Sequence, residues 1–336
     1  MTTFDDAIQQ AQRNEDLSAD QTAVLIDQML SGEAAEDQIG QLLLALREKG
    51  EAVSEIVGAA TAMRRHMTRI PHRHDCLLDT CGTGGSRSGS FNISTAVAIV
   101  TAACGVPVAK HGNRKATSVT GSADVLEELG VGIESDADQV ARRLDEIGLC
   151  FCFAVKLHPA MRHVVGIRRK LGVKTLFNLL GPLCNPAGAT HQLLGTSNVD
   201  AQEKIAAAIA QLGTRRSFVV HAADGQDEVC LDRYTAAVEV TGNQVSGRSR
   251  WTPEDFGLSP TDVTALAASG PAESAAIIRR ILDGHPGPAR DTVLAGVAAA
   301  LLLTDKVTSL ADGVSQAAQV IDSGAAKAKL EQLARA

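Results

Sequence analysis

A glycine-rich segment, Asp79 to Thr95, carries residue types that can bind phosphate. Its sequence is DTCGTGGSRSGSFNIST, with an apolar run before the glycines and a helical pattern after them. Glycines let the backbone approach an anion closely, and successive N–H groups can form a concave anion site. Asn92 and Ser94 are predicted to lie at the N-terminus of the helix, where free N–H groups and the helix dipole favour phosphate. The alternative is an ordinary glycine-rich turn with an Asn or Ser cap.

The glycines match neither of two common nucleotide-binding patterns. No Gly-Lys-Ser/Thr follows them, which excludes a Walker loop. They fall at positions 82, 84, 85 and 89, which does not spell G-x-G-x-x-G before the helix. A dinucleotide is therefore a less favoured ligand than a phosphate.

A second segment, Pro107 to Gly130, places cations and polar residues directly after another predicted strand. In open α/β sheets, ligands bind in the crevice at the carboxyl ends of the strands. A solvated basic turn is the alternative. The residues that crowd this loop are Lys110, His111, Asn113, Arg114, Lys115 and Ser118.

A third segment, HAADGQDEV, brings Asp227 and Glu228 to the end of a further predicted strand. Two carboxylates at a strand end can hold Mg²⁺, which binds few carboxylates together with water and substrate phosphates. An acidic pair is also a common feature of surface turns. The interpretation of this pair as a metal site therefore depends on the two predicted phosphate-binding loops.

Helices are predicted throughout the first seventy residues. Ser18 and Gln21 form a capping-box pattern at the start of one helix, and Gly50 is placed to end the next. Ser54 is a plausible cap for a third helix. A proline at position 71 then ends the pattern. A separate small helical unit is the simplest account.

From Cys76 onward, short apolar runs alternate with helical patterns, which argues for a largely parallel sheet covered by helices. The predicted strands are Cys76–Asp79, Val106–Ala109, Leu149–Ala154, Gln192–Gly195 and Ser217–His221, with a hairpin of Thr235–Val240 and Val245–Arg248. The predicted helices between them are Ile93–Cys104, Ser122–Leu129, Asp138–Ile147 and Ala201–Leu212, and helices again follow Ala272.

The fold class is therefore α/β: a small all-helical domain plus a larger α/β domain with a central, mostly parallel sheet. We predict that residues 1–72 form the helical domain. The segment His158 to Pro186 interrupts the strand–helix alternation, so residues 158–190 are expected to join that domain in space. Residues 73–157 and 191–336 then form the larger domain.

Composition excludes several classes of function. The formal net charge of −7 gives no long-range attraction to nucleic acid or anionic lipid. Seven cysteines without a CxxC pair indicate free thiols in a reducing compartment, so we expect a cytoplasmic protein. The N-terminus lacks the features of a signal peptide. The most apolar stretch, Val293 to Leu303, is far shorter than the roughly 20 residues of a membrane span and is predicted to be a buried helix.

Taken together, the motifs identify a resemblance. The segments GTGGSRSGSFNIST, KHGNRKATSVTGSADVLEELGV, HPAMRHVVGIRRKLGVKTLFNLLGPLCNPAG and DGQDE occur in this order. The chain thereby resembles the anthranilate phosphoribosyltransferases of tryptophan biosynthesis, from about Leu17 to about Leu333. Such an enzyme transfers the 5-phosphoribosyl group from phosphoribosyl pyrophosphate to the amine of anthranilate, releases pyrophosphate and uses Mg²⁺.

The resemblance implies a nucleoside phosphorylase/phosphoribosyltransferase-like fold, a hinge between the domains, and a homodimer formed through the helical domain. No nucleic-acid or membrane partner is expected at a net charge of −7. Phosphoribosyl pyrophosphate would be held by Gly82, Gly85, Ser86, Ser90, Asn92, Ile93, Ser94, Thr95, Lys110, Ser118 and Ser122. The magnesium ions would be served by Ser94, Asp227 and Glu228. The anthranilate site would be lined by Gly82, His111, Asn113, His158, Arg168 and Pro182. Lys110, His111 and Arg168 would position the substrates.

Chemistry agrees with one of these assignments in particular, because a guanidinium such as that of Arg168 can grip a carboxylate through two parallel hydrogen bonds. The sequence departs from the family at Ser86 and Arg87, where an Asp and a small residue are common. This departure puts one metal contact in doubt. The alternatives are a pyrimidine nucleoside phosphorylase-like enzyme and a non-enzymatic relative that binds nucleic acid.

Overall fold

The N-terminal quarter of the protein is helical. The computed structural model describes residues 3–84, 89–115 and 119–336. Four helices precede the first strand: α1 (Phe4–Gln12), α2 (Ala19–Ser31), α3 (Glu36–Lys49) and α4 (Val53–His66).

The capping signals in this region are confirmed with one exception. The Ser18 Oγ accepts from the Gln21 N–H at 3.1 Å, and the Gln21 side chain accepts from the Ser18 N–H at 2.8 Å. Gly50 ends α3 as predicted. The predicted cap at Ser54 is wrong, because Ser54 lies inside α4 and its hydroxyl donates to the Leu17 carbonyl. The first turn of α4 is instead closed by Glu55, whose carboxylate accepts from the N–H of residue 52 at 2.8 Å.

A seven-stranded sheet follows, with the strand order β3-β2-β1-β4-β5-β6-β7. The first five strands in this order are parallel, and β6 and β7 form the predicted antiparallel hairpin. The strands are β1 (Leu78–Gly82), β2 (Val108–Gly112), β3 (Leu149–Phe153), β4 (His191–Gly195), β5 (Thr214–Ala222), β6 (Thr235–Gly242) and β7 (Gln244–Trp251).

Two strands, β1 and β2, end later in the sequence than predicted. The strand predicted at Cys76–Asp79 runs through Gly82, because its glycine-containing end still pairs with β4. The strand predicted at Val106–Ala109 begins at Val108 and continues through Lys110 and His111 to Gly112. Pro107 has no N–H to donate to a ladder, whereas β3 pairs with β2 all the way to Gly112. Two polar side chains are thereby buried at a strand end.

The remaining helices cover the sheet or extend it. They are α5 (Ile93–Ala103), α6 (Ser122–Glu128), α7 (Ala137–Ile147), α8 (Ala154–Leu157), α9 (Arg162–Leu171), α10 (Phe177–Leu180), α11 (Val199–Leu212), α12 (Pro271–Leu282), α13 (Pro288–Leu303), α14 (Leu310–Asp322) and α15 (Ala325–Arg335). Short 3₁₀ turns occupy Pro159–Met161, Gly181–Leu183, Pro253–Phe256 and Val263–Leu266. The apolar stretch at 293–303 is a buried helix, as predicted, and no helix in the described ranges is long and apolar enough to cross a membrane.

The two faces of the sheet belong to different hydrophobic clusters. Leu193 of β4 packs with α5 and α13, whereas its neighbour Leu194 packs with the N-terminal helices and α11. This alternation follows from the pleat of a strand, which points successive side chains to opposite faces. The sheet is therefore covered on both sides, as parallel sheets usually are.

The segment between β3 and β4 packs against the N-terminal helices. Helix α9 contacts α2 and α3, and α10 contacts α4. Val164 and Ile167 of α9 lie in the same hydrophobic cluster as the residues of α2 and α3. This is the spatial association expected for residues 158–190, while the domain boundaries at 72/73, 157/158 and 190/191 stay predictions.

Candidate active site

The carboxyl ends of β1 and β2 meet at one edge of the sheet and open into a cleft of about 540 Å³. The loop after β5 and the 3₁₀ turn at 181–183 close its sides. This is the edge at which open α/β sheets bind ligands. The predicted site residues that line the cleft are Gly82, Ser90, Asn92, Ile93, Ser94, Lys110, His111, Asn113, Ser122, Pro182, Asp227 and Glu228.

Helix α5 presents its N-terminus to the cleft. Asn92 caps it, with its Oδ1 accepting from the backbone N–H of Thr95 at 3.2 Å and from the Thr95 hydroxyl at 2.6 Å. The N–H of Ser94 donates to Glu228 Oε1 at 3.2 Å. A carboxylate thus lies at the helix end where phosphate is predicted, because that end attracts anions.

Lys110 lines the cleft but is almost completely buried. Its Nζ donates to the Thr80 carbonyl at 2.7 Å and to Ser94 Oγ at 3.0 Å. Burial lowers the pKa of its ammonium, and the nearby Asp79 carboxylate opposes that effect. The Asp79 side chain also accepts from the His111 N–H at 3.0 Å. These contacts tie the ends of β1 and β2 to the start of α5.

Asp227 and Glu228 reach the cleft from the loop between β5 and β6. Asp227 Oδ2 accepts from the Gly84 N–H at 3.0 Å. Burial, and next the charge of Asp227, raise the pKa of Glu228 to about 8. Burial also raises the pKa of Asp227.

The acidic pair fits a hard divalent cation. In the described part of the chain neither carboxylate forms an ion pair with Lys or Arg, and no third His, Cys, Asp or Glu joins them. Mg²⁺ is suited to one or two carboxylates completed by water and substrate phosphates. Its charge would also favour the ionised form of both groups and so reverse the effect of burial. Ser94, whose hydroxyl contacts Lys110, lies beside them.

His111 and His158 form a buried pair on the other side of the cleft. The Nε2 atoms of the two rings are 3.2 Å apart, and His111 Nδ1 lies 3.0 Å from the Gly181 carbonyl. A carbonyl can only accept, so Nδ1 of His111 carries the proton and its Nε2 accepts from His158. Burial, and next the neighbouring His158, lower the pKa of His111 to about 3, and burial lowers that of His158 to about 4. Both rings are therefore neutral at physiological pH.

Arg168 and His158 lie behind the wall of the cleft. Arg168 Nη2 donates to Asn178 Oδ1 at 3.4 Å, and its guanidinium carbon lies 5.4 Å from the centre of the Phe177 ring. Asn178 itself lines the cleft. No carboxylate pairs with Arg168 within the described ranges. A largely buried cation without an acidic partner is costly, which favours binding of an anion from outside the chain.

Other predicted residues have different surroundings. Thr95 is buried beneath Asn92 and does not line the cleft. Arg114 of the basic loop is turned to α6, where it pairs with Asp124 at 3.2 Å and Glu127 at 2.6 Å. Gly85, Ser86, Arg87 and Ser118 lie outside the described residues.

Two residues of the site were not predicted from the sequence. Asn178 occurs in the segment LFNLLGPLCNP, where nothing local distinguishes a cleft residue from a helix cap. Gly195 ends β4, and a Cβ built there would overlap the backbone carbonyl of Asp227. A Cβ at Gly82 would lie only 2.7 Å from Asp227 Oδ2. For Gly195, the available signal was a glycine at the carboxyl end of a predicted strand, as at the predicted site residue Gly82.

Known proteins match the chain over nearly its whole length. The profile described as "Glycosyl transferase family, a/b domain" matches residues 74–327, and "Glycosyl transferase family, helical bundle domain" matches residues 5–67. The anthranilate phosphoribosyltransferase of Rhodopirellula baltica is 68% identical over 332 residues, which cover 99% of this chain and 97% of that relative.

Solved structures of anthranilate phosphoribosyltransferases also match the chain. The crystal structure of anthranilate phosphoribosyltransferase from Thermus thermophilus matches with a TM-score of 0.91 and 41% identity, covering 98% of this chain and 100% of the other. The enzyme of that name from Saccharomyces cerevisiae, in complex with phosphoribosyl pyrophosphate and Mg, matches with a TM-score of 0.89 and 27% identity. In that case the match covers 95% of this chain and 93% of the other.

Proposed function

The chain belongs to the anthranilate phosphoribosyltransferase family of glycosyltransferases, and on this basis we propose that it transfers the 5-phosphoribosyl group of phosphoribosyl pyrophosphate to the amine of anthranilate. The reaction breaks the bond from the anomeric carbon to pyrophosphate and forms a carbon–nitrogen bond in its place. One observation carries the proposal. The N-terminus of α5, the buried Lys110 and the acidic pair Asp227 and Glu228 line one cleft. Arg168 lies behind Asn178 in the wall of the same cleft.

The donor substrate is assigned to the α5 side of the cleft. We assign its binding to Gly82, Gly85, Ser86, Ser90, Asn92, Ile93, Ser94, Thr95, Lys110, Ser118 and Ser122. Lys110 is held by Thr80 and Ser94, so it supports the helix end and supplies positive charge beneath the pyrophosphate. Fixed groups of this kind stabilise charge without reorganising during the reaction.

We propose that Asp227 and Glu228, with Ser94, hold the Mg²⁺ required by the reaction. When bound there, the ion would neutralise part of the negative charge of the departing pyrophosphate. Gly82 and Gly195 leave room for the loop that carries the pair. The chain's own contribution is to keep both carboxylates at the helix end.

Anthranilate is assigned to the opposite wall, with Gly82, His111, Asn113, His158, Arg168 and Pro182. Its carboxylate would turn toward Arg168, since a charge-assisted bond to guanidinium is stronger than a neutral one. The Nε2 of His111 already accepts from His158, so His111 is not available as a proton acceptor. The anthranilate amine is uncharged at neutral pH, and positioning is the main contribution of these side chains.

A direct assay tests the function. The protein is mixed with anthranilate, phosphoribosyl pyrophosphate and Mg²⁺, and the loss of anthranilate fluorescence is followed. We expect the loss only when all three are present. Phosphate-dependent cleavage of thymidine without any loss of anthranilate would instead establish the phosphorylase alternative, and neither activity would leave a binding protein.

Three further features accompany the proposed function. We propose that the enzyme acts in the cytoplasm, since all seven cysteines are free thiols. Residues 1–72 with 158–190 are proposed to form the small domain, supported by the packing of α9 on α2 and α3. This domain is proposed to form a homodimer, since Val24 of α2 and Val165 of α9 are both exposed.

A further inference from the structure

Asn178 occupies a defined place between Arg168 and the cleft. It is the second residue of α10, it is half-buried, and it lines the cleft with Gly181 and Pro182. Those two neighbours are on the wall assigned to anthranilate. Any donor that Asn178 offers is therefore offered to the aromatic substrate.

The orientation of the Asn178 amide is fixed by its two partners. The N–H of Thr175 donates to Oδ1 at 2.9 Å, and the guanidinium of Arg168 donates to the same oxygen at 3.4 Å. Both partners can only donate, so the atom that faces them must be the oxygen. The amide nitrogen then points the other way. In the ranges that the structure describes, no protein group accepts from it.

Asn178 therefore offers a donor and no acceptor to the cleft, and Arg168 lies directly behind it. Arg168 lies against the Phe177 ring, which restricts where its guanidinium can move. The remaining N–H groups of Arg168 and the NH₂ group of Asn178 are hydrogen-bond donors on two adjacent side chains. A carboxylate presents two oxygens that only accept, so it complements such a pair, whereas a carboxamide presents one acceptor and one donor.

Resting on the proposed function, we propose that Asn178 is a specificity-determining residue: its amide oxygen positions Arg168, and its amide nitrogen donates to the carboxylate of the aromatic acceptor. The residue thereby selects an anionic aromatic amine over an uncharged one. A purely structural Asn178 would only close the turn at Thr175.

Asn178→Asp separates these two roles. The carboxylate still accepts from Thr175 and Arg168, so the turn keeps its hydrogen bonds. It loses the NH₂ donor and adds a negative charge beside the substrate carboxylate. We expect the KM for anthranilate to rise about 10- to 100-fold, as a lost charge-assisted bond allows. The KM for phosphoribosyl pyrophosphate should change by less than about threefold, because that substrate is assigned to the opposite wall of the cleft.

Asn198→Asp is the matched control. Asn198 also accepts a backbone N–H, that of Ala201 at 3.1 Å, but it is exposed at the start of α11. The same chemical change there should leave both KM values unaltered. Asn178→Ser is the second variant, since it stays neutral; we expect it to raise the KM for anthranilate less than Asn178→Asp does.

An uncharged competitor provides an independent measurement. 2-Aminobenzamide carries a carboxamide where anthranilate has its carboxylate. We expect the wild-type protein to prefer anthranilate, and Asn178→Asp to reduce this preference at least about tenfold. An unchanged preference and an anthranilate KM within about twofold of wild type, in a variant that melts normally, would overturn the proposal. If the wild type did not consume anthranilate at all, the proposed function itself would fail first.

Discussion

Asp227 and Glu228 concentrate the chemistry of the site in two adjacent side chains. They meet Gly84 and the first turn of α5 through hydrogen bonds. Within the described ranges neither forms an ion pair with a Lys or Arg side chain, although the charge of Lys110 acts on Glu228 and that of Lys174 on Asp227. Their burial raises the pKa of both, so the folded protein keeps them in an environment that favours a bound cation.

The double substitution Asp227→Asn, Glu228→Gln tests this pair. We expect turnover to fall about 10²-fold or more, because the departing pyrophosphate loses its cation, while the shapes of the side chains are preserved. Turnover is measured at saturating Mg²⁺, and the melting temperature is measured in parallel. Asp232→Asn, in the same loop and paired with Arg233, serves as the control. Near-normal turnover of the double variant would remove the metal assignment.

The buried histidine pair predicts how stability depends on pH. The pKa of His111 is lowered to about 3 and that of His158 to about 4, from an ordinary value of 6.5. Between these values the unfolded chain binds protons that the folded protein does not. The contribution of the two rings to stability is thus fully present above about pH 6.5 and declines as the pH falls, by on the order of 2 kcal/mol per ring at pH 5. The raised pKa of Glu228 contributes in the opposite direction over this range.

Urea unfolding at about pH 7.5 and pH 5, compared between the wild type and a variant without the two rings, measures this contribution. The double variant His111→Asn, His158→Asn should lose less stability between the two pH values than the wild type does, whatever its stability at pH 7.5. Equal losses in the two proteins would mean that the pair is not held neutral.

At the scale of elements, the site depends on how closely the loop after β5 approaches the end of β4. Gly195 allows this approach because its position has no side chain to meet the Asp227 backbone. Three parallel strands and one helix end must therefore keep a fixed register for the two carboxylates to reach the cleft.

Gly195→Ala tests the register. The added Cβ would overlap the Asp227 carbonyl, so the acidic loop must shift. We expect a loss of about 1–3 kcal/mol in unfolding free energy and at least a tenfold loss of activity. Gly166→Ala in α9 has nothing within 4 Å of its added Cβ and should leave activity unchanged. If Gly195→Ala were as active as Gly166→Ala, the close approach would have no functional role.

At the scale of the whole molecule, the N-terminal helices pack with α9 and α10, which carry Arg168 and Asn178 of the wall assigned to anthranilate. The start of α5 carries the wall assigned to phosphoribosyl pyrophosphate, and the ends of β1 and β2 lie between the two walls. Val24 and Val165 are each 46% exposed on the helical face. Exposed valines on two packed helices are consistent with an interface to a second copy.

Val24→Asp with Val165→Asp tests that interface. We expect wild-type protein to sediment as a dimer and the double variant as a monomer, because two buried carboxylates per subunit would oppose association. Val199→Asp, at a residue that is 55% exposed on α11, should remain dimeric. Sedimentation of the wild type as a monomer would contradict the proposed homodimer.

The sequence by itself determined the local features of this protein. Capping at Ser18 and Gly50, the strand–helix alternation and the loops after the strands depend on residues close together in the chain. Such short-range preferences are visible in sequence patterns. The resemblance to the family came from motifs of the same kind, and the comparisons confirmed it.

The tertiary structure alone decided which of these residues meet. His158 contacts His111 across 47 positions of the chain, and Gly195 faces the backbone of Asp227. The ends of β1 and β2 were placed too early in the sequence prediction, because pairing with neighbouring strands extends them. In the sequence, Asn178 cannot be distinguished from a helix-capping residue. Only the packing of α9 places Arg168 beside it. A pattern of buried and exposed residues reports that a side chain is enclosed, whereas only the packing of distant elements determines its partners.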